Sequence, residues 1–434
     1  MDVPDTRCVE IRGALDIGSS QHKLVVARVR VAASGNRPLE VVDIMRETQI
    51  AVYLNDAFVA ANCAELSAGI LSESETALRK LVQLAREDGA GQIAGVATAV
   101  FRKAANGESY LARISDTLCI TIRLVTQQME GELGFMSALA QLQLHRNVKP
   151  SSVSASVPGL PPATGVLNPP SCAISADSLV SWDSGGGSFQ LAAAMERKSH
   201  EQQEVSDSEI LVFQGPIGNA NVLALLCRVR GTTFSPGKTC NPVSEDEFTE
   251  LTRLIAQEIS AVQVPHWLRN RLDQPDSLVV GIGNRTSLFC VGRDATSKEE
   301  FTAQDVRESS RALLGKDDVA LDRYMRECAA RFHSEASYTA SNDKSHNLST
   351  RQVSSMSSSS ASYPEPKTVV CKLALLYTVM TQLQIRSVRY QQTMGSCPGI
   401  LLDDILWTKL GMPPMDPALE AKVSAPTRER AGMR

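Results

Sequence analysis

The chain has 434 residues, long enough at roughly 150 residues per domain for about three units, or for two large ones with insertions. Its 44 Lys and Arg against 48 Asp and Glu leave a net charge of −4, which supplies no bulk field for holding nucleic acid or an anionic membrane. Hydrophobic residues at 43% and charged residues at 21% are ordinary globular usage, and aromatics at 5% argue against stacking platforms for bases.

Ten cysteines are scattered without a CxxC pair, and the six histidines do not fall at metal spacing from them, so a reducing compartment fits best. Asp2, Asp5 and Arg7 follow Met1 where a leader would be apolar. The longest uncharged apolar run, Leu373 to Ile385, is too short for a bilayer. A cytoplasmic protein is expected.

In chain order, Ile11 to about Leu144 reads as three strands followed by alternating helices and strands, the rhythm of an α/β layer. Strands are expected at Leu24 to Val29 and Val41 to Ile44. A helix is expected from about Ser72 to Glu87, with Ser72 and Glu75 as a capping box, Leu78, Leu81, Val82 and Ala85 at helical spacing, and Gly89 as its stop. There follow a strand at Ile93 to Thr98, a short helix around Ser109 to Leu118, a strand at Ile120 to Val125, and a helix through Glu130 and Leu142. The segment from 146 to 177 is rich in Pro, Ser and Gly and reads as a linker or insertion.

A second α/β stretch follows, with strands near Leu179 to Asp183, Phe189 to Ala194, Ile210 to Phe213 and Leu278 to Ile282, and a helix opened by the Ser244/Glu247 capping box. Residues 334–366, which include a serine run from Ser354 to Ser362, are expected to be disordered. A helix from Val369 to Ile385 comes next. The domains are therefore expected at 10–145 and 178–405, with a tail at 406–434.

The informative feature is an internal echo. "LDIGSSQHKLVVA" (Leu15 to Ala27) and "WDSGGGSFQLAAA" (Trp182 to Ala194) align without a gap, placing Asp16 on Asp183 and Gly18 on Gly185. Each segment joins two expected strands. Glycines at such a turn let backbone N–H groups approach an anion closely, and an Asp at the strand end can hold a cation through water. Two copies facing each other would grip a metal-bound phosphate from both sides. A plain glycine hairpin is the alternative for either copy alone.

Four segments resemble the Ppx/GppA phosphatase family in that family's order: "ALDIGSS" (Ala14 to Ser20), "TAVFRKAAN" (Thr98 to Asn106), "LVTQQMEGELGFM" (Leu124 to Met136) and "WDSGGGS" (Trp182 to Ser188). Weaker matches follow at "VVGIGN" (Val279 to Asn284) and around Leu373 to Ile385. The resemblance spans about residues 12 to 400 outside the two low-complexity segments, without the C-terminal helical domain of longer members. It implies an α/β, two-domain actin-like fold, a duplicated ribonuclease H-like fold with a cleft between domains. The implied activity is an exopolyphosphatase-like release of terminal phosphate from inorganic polyphosphate or a guanosine penta/tetraphosphate-like nucleotide.

Carried over by position, Asp16 and Asp183 would hold Mg²⁺ through its water shell. Gly18, Ser19, Ser20, Gly185, Gly186, Gly187 and Ser188 would cradle phosphate, with Gly281 and Gly283 at the weaker match. Arg102 would pair with a leaving or non-terminal phosphate through its forked donors, and Glu130 would take a proton from the attacking water. Taken singly, Arg102 also reads as a solvated capping charge and Glu130 as an acid favoured by a helix N-terminus. Lys23 is a further candidate phosphate donor; the competing reading is that it snorkels from the strand end, with His22 a surface imidazole.

The chain departs from the family pattern where Gln190 replaces an acidic residue, Met129 replaces the first of two glutamates, and Asn284 and Arg285 replace a Gly-Thr. The residues after the first loop are Gln21, His22 and Lys23, and an Arg-Glu-Gly becomes Cys397, Pro398, Gly399. These changes motivate a second expectation, a weakly active or inactive regulator that binds phosphate or nucleotide. The expected partner is polyphosphate or a phosphorylated nucleotide, with no nucleic acid and no membrane. A homodimer and a protein partner at the Ser-rich insertion are also admitted.

Overall fold

The computed structural model describes residues 8–32, 38–61, 64–147, 176–196, 208–232, 239–341 and 365–408. Apolar residues recurring along the chain give three antiparallel strands, β1 (Cys8–Ile17), β2 (Gln21–Val31) and β3 (Pro38–Ala51), the first two joined by a tight turn. There follow α1 (Leu54–Ala60), α2 (Ala68–Glu87), β4 (Gln92–Ala97), α3 (Ala99–Lys103), α4 (Gly107–Leu118), β5 (Thr121–Leu124) and α5 (Gln127–Asn147). β4 runs parallel to β1 and β5 parallel to β4, giving the order β3-β2-β1-β4-β5.

The second half builds the same sheet again. β6 (Leu179–Ser184), β7 (Phe189–Glu196) and β8 (Ser208–Gly215) are antiparallel, followed by α6 (Asn219–Val229), α7 (Glu245–Ser260) and α8 (His266–Asp273). β9 (Leu278–Gly283), α9 (Leu288–Thr296), β10 (Glu300–Phe301), α10 (Ala303–Leu313), α11 (Asp318–Ser341), α12 (Pro366–Gln382) and β11 (Val388–Gln392) come next, and α13 (Cys397–Leu402) and α14 (Asp404–Thr408) close the described chain. Its order, β10-β11-β9-β6-β7-β8, repeats the first sheet with one two-residue strand added at an edge.

The expected elements are present with shifted ends. α2 begins four residues before Ser72, because Ser67 is its N-cap and accepts from the Ile70 amide. Glu75 sits inside the helix and pairs with Arg79 and Arg113 instead of capping. The Ser244/Glu247 capping box is made in both directions, at 2.8 and 3.2 Å. α11 continues to Ser341, into the stretch assigned to disorder, and residues 342–364 and 148–175 lie outside the described residues. The expected tail begins inside a core, since Leu406 and Trp407 are buried.

The packing crosses between halves. One face of the first sheet is covered by α2 and α4 through Leu78, Leu81, Tyr110 and Ile114. Its other face, carrying Ala14, Val25 and Ala27, is covered by Ile400, Leu401 and Trp407 from the end of the chain. There the guanidinium of buried Arg12 lies 4.7 Å from the Trp407 ring, and Trp407 Nε1 donates to the Ile400 carbonyl at 2.6 Å.

Reciprocally, Phe135 and Ala138 of α5 cover the Ala192, Val280 and Ile282 face of the second sheet. α5 and α13 cross where a Cβ on Gly399 would lie 2.1 Å from the Leu133 carbonyl, so only glycine admits the approach. The Gly399 amide donates to Ser137 Oγ at 2.9 Å at the same place. No helix among the described residues is long and apolar enough to cross a membrane.

Candidate functional site

The two echoed segments fold into matching hairpins. In the first, the Gly18 amide donates to the Gln21 carbonyl at 3.1 Å; in the second, the Gly185 amide donates to the Ser188 carbonyl at 2.9 Å, at the same offset from the aspartate. Asp16 stands across from Lys23 on β2, and Asp183 across from Gln190 on β7. The loop carbonyls are anchored from behind. Those of Ser19 and Ser20 accept from Asn55 and Val52, and those of Gly185 and Gly186 accept from Asn219 and Ala220 at the start of α6. With the Gly18 and Gly185 amides engaged inside the hairpins, the N–H groups of the residues that follow them are what each turn can offer an anion.

Inner-face residues at the strand ends carry the charges. Asp16 is 5% exposed, and its Oδ2 accepts from Lys23 Nζ and from the Ser396 amide, each at 3.1 Å. Burial works against the Lys23 charge, but Asp16 and Asp183 outweigh it and hold the ammonium above its ordinary pKa. The Asp183 carboxyl is pushed up to about 6 by burial; Lys23 opposes the rise and Asp16 adds to it. The charges of Lys23 and Asp16 at the first hairpin act on Asp183 at the second, so the two hairpin ends are electrostatically coupled.

Glu130, in the first turn of α5, is coupled to the same carboxylates. Its carboxyl is pushed up to about 7 by burial, with Arg102 opposing and Asp183 and Asp16 adding. Arg102 Nη2 lies 2.7 Å from Glu130 Oε2, and its Nη1 donates to the Val125 carbonyl at 2.6 Å, so the guanidinium is fixed from both sides.

Several expectations fall differently. His22 is not a surface imidazole: it is fully buried, with Nε2 2.8 Å from Ser74 Oγ, and burial pushes its pKa down to about 4. Strand alternation explains this, since Lys23 points to the cleft and its neighbour must point to α2. Lys23 accordingly does not snorkel outward. Gly281 leaves the phosphate set: it lies mid-ladder in β9 between Trp182 and Tyr390, and a Cβ on it would strike Phe289. Gly283 ends that strand against Ser287, and its carbonyl accepts from the Thr393 amide and Tyr390 hydroxyl, a structural placement. Gln190 is buried and donates to Ser188 Oγ at 3.2 Å, while the Asn284 amide reaches Gln49 of the first sheet at 3.1 Å.

Three residues escaped sequence reasoning. Gly395, at φ +60°, presses on the Asp16–Lys23 pair, where a Cβ would lie 2.0 and 2.5 Å from their charged atoms. Gly218 packs against the second loop, 2.5 Å in Cβ terms from the Ser188 amide. Lys103 brings its ammonium to the tip of that loop, 3.7 Å from a Cβ built on Gly187. The glycines carry no local signal, because their contacts are made with segments distant in sequence. Lys103 could have been flagged by its place beside Arg102.

The chemistry of this donor set bears on a magnesium ion. Two strand-end carboxylates sharing a partly buried space, both oxygen donors, suit a hard cation. Among the described residues no three His, Cys, Asp or Glu side chains form a direct cage, so an ion here would keep part of its water shell. The residues fit in that form, with Lys23 holding the charge balance of Asp16.

Residues 29–149 match the Ppx/GppA phosphatase family. The crystal structure of the Aquifex aeolicus Ppx/GppA family member aligns with TM-score 0.56 at 14% identity over 92% of this chain and 98% of that one. An exopolyphosphatase from Cytophaga hutchinsonii aligns with TM-score 0.55 at 13% identity over 93% and 100%. No curated protein matches the chain. The sequence similarity to the Ppx/GppA phosphatase family thus covers residues 29–149, while over nearly its whole length the chain has the two-domain actin-like fold of the solved Ppx/GppA structures.

Proposed function

We propose that the chain is a cytoplasmic, Mg²⁺-dependent phosphohydrolase that releases the terminal phosphate of inorganic polyphosphate or of a guanosine penta/tetraphosphate-like nucleotide. The observation that carries this reading is Glu130, a carboxyl pushed up to about 7, held 2.7 Å from Arg102 and coupled electrostatically to Asp16 and Asp183. A base with a pKa near the working pH is the kind that takes a proton from water efficiently.

Phosphoryl transfer asks a protein chiefly for positioning and charge neutralisation. The N–H groups of the two loops orient phosphoryl oxygens, and Lys23 adds a cation at the first loop. Substrate oxygens that draw Arg102 onto themselves loosen its hold on Glu130, which raises the basicity of that carboxylate as the substrate seats. Glu130 then accepts the proton of the attacking water, while the fork of Arg102 takes charge on the leaving side. Asp16 and Asp183 would hold a bound Mg²⁺ through water, and the ion would neutralise charge developing on the phosphoryl oxygens.

Incubation with polyphosphate, pppGpp and ATP in Mg²⁺ while following phosphate release tests this. Release above a Glu130→Gln control is expected for at least one of them, and none from any of the three overturns it.

Gln190 favours a second reading. Across from Asp183 the chain carries a neutral amide engaged with Ser188 Oγ, where the family pattern has an acid. A protein that binds phosphate but turns it over weakly or not at all accommodates this. Its mark would be a ligand-induced rise in Tm without phosphate release.

A further inference from the structure

We propose that Lys103 is a phosphate-contacting residue of the second glycine loop, an ammonium from the first domain that closes onto an anion held by the second. The proposal rests on the anion-binding reading of the cleft given above. Lys103 ends α3, directly after Arg102. Its Nζ lies 3.7 Å from the point a Cβ on Gly187 would occupy, and Asn221 Oδ1 lies 3.9 Å from that point. The side chain is exposed, and no carboxylate among the described residues stands in ion-pair contact with it.

The surface it faces gives an ammonium no counter-charge. The carbonyls of Gly185 and Gly186 are consumed by the Asn219 and Ala220 amides, and Asn221 Oδ1 accepts from the Gly218 amide. The loop tip is also next to the N-terminal, positive end of the eleven-residue α6. The first amides of α6 are themselves taken by the loop carbonyls, so it is the cation poised over the glycine turn that lacks an anion.

Arg102 and Lys103 are consecutive on a helix, so their side chains diverge, one to Glu130 and the other to Gly187. The ligand chemistry that meets both is a chain of at least two phosphoryl groups, whether free inorganic polyphosphate or the tail of a nucleotide. Orthophosphate can meet only one.

Isothermal titration of the full chain with sodium tripolyphosphate, GTP and orthophosphate tests the idea, comparing wild type with Lys103→Gln, Lys103→Arg and Arg102→Gln. Lys103→Gln is expected to weaken tripolyphosphate about 10-fold, the scale of one charge-assisted contact. Orthophosphate is expected to change less than about 2-fold, Lys103→Arg to retain most of the affinity, and the unliganded Tm to stay within about 1 °C because the side chain is exposed. An equal loss for GTP supports tail recognition, and a loss confined to tripolyphosphate supports free-chain recognition; both uphold the contact. Wild-type affinity in Lys103→Gln alongside a loss in Arg102→Gln overturns the role of Lys103 and leaves the cleft reading standing. No binding of either chain by the wild type removes both.

Discussion

Asp16 and Asp183 were legible in the sequence because a duplicated hairpin repeats its chemistry at a fixed offset, and the matching amide-to-carbonyl bonds of Gly18 and Gly185 are the physical form of that repeat. His22 and Gly395 were not legible. The first needs the strand's facing, and the second needs a loop 372 residues further on to lie against Lys23. Glu130 yields a sign-specific prediction. Its folded-state pKa of about 7 stands above an unfolded value of about 4.5, so its contribution to stability is fully present below the unfolded value and is lost as pH rises to about 7. Glu130→Gln in metal-free buffer should therefore raise Tm at pH 8 by a few degrees, with the gain fading by pH 5. A gain independent of pH would separate it from the carboxyl's titration. Gly395→Ala puts a methyl into the Asp16–Lys23 contact at a left-handed φ, and a loss of about 2 kcal/mol or more is expected by denaturant titration.

At the scale of elements, α5 and α7 could be read from periodicity and capping, but the destination of α5 could not. Its apolar residues fix that a helix forms; the identity of the sheet they meet is set by the crossing of chain halves. α13 was missed because Pro398 and Gly399 are poor helix formers, and both are tolerated there for reasons of place: Pro398 falls in the first turn, and Gly399 permits contact with Leu133. The last three residues of α14 were assigned to a tail, yet they include the fully buried Trp407 that covers Arg12. Trp407→Ala removes that cover and leaves a buried guanidinium beside a cavity. A cost of about 3–5 kcal/mol is expected in chemical denaturation, against less than about 0.5 for the exposed Val319→Ala.

For the whole molecule, the exchange of covering helices ties two cores that composition alone would treat as separate domains. The inner face of the first sheet is closed by residues near position 400, and that of the second by a helix that ends at position 147. Distant parts of the chain should then share their opening, because removing a covering side chain exposes the sheet it touches and not the elements beside it in sequence. Phe135→Ala in α5 is expected to speed amide exchange in β6, β7 and β9 more than in β1 and β2, which precede it in its own half. Trp407→Ala should do the reverse, speeding β1 and β2 from the far end of the chain. Hydrogen exchange followed by mass spectrometry on both variants reads this directly, with peptides from the outer helices α4 and α10 as internal references. If each variant disturbed only peptides near it in sequence, the crossed covering would not carry the energetic coupling that the packing implies, and the cleft would open between two independent halves.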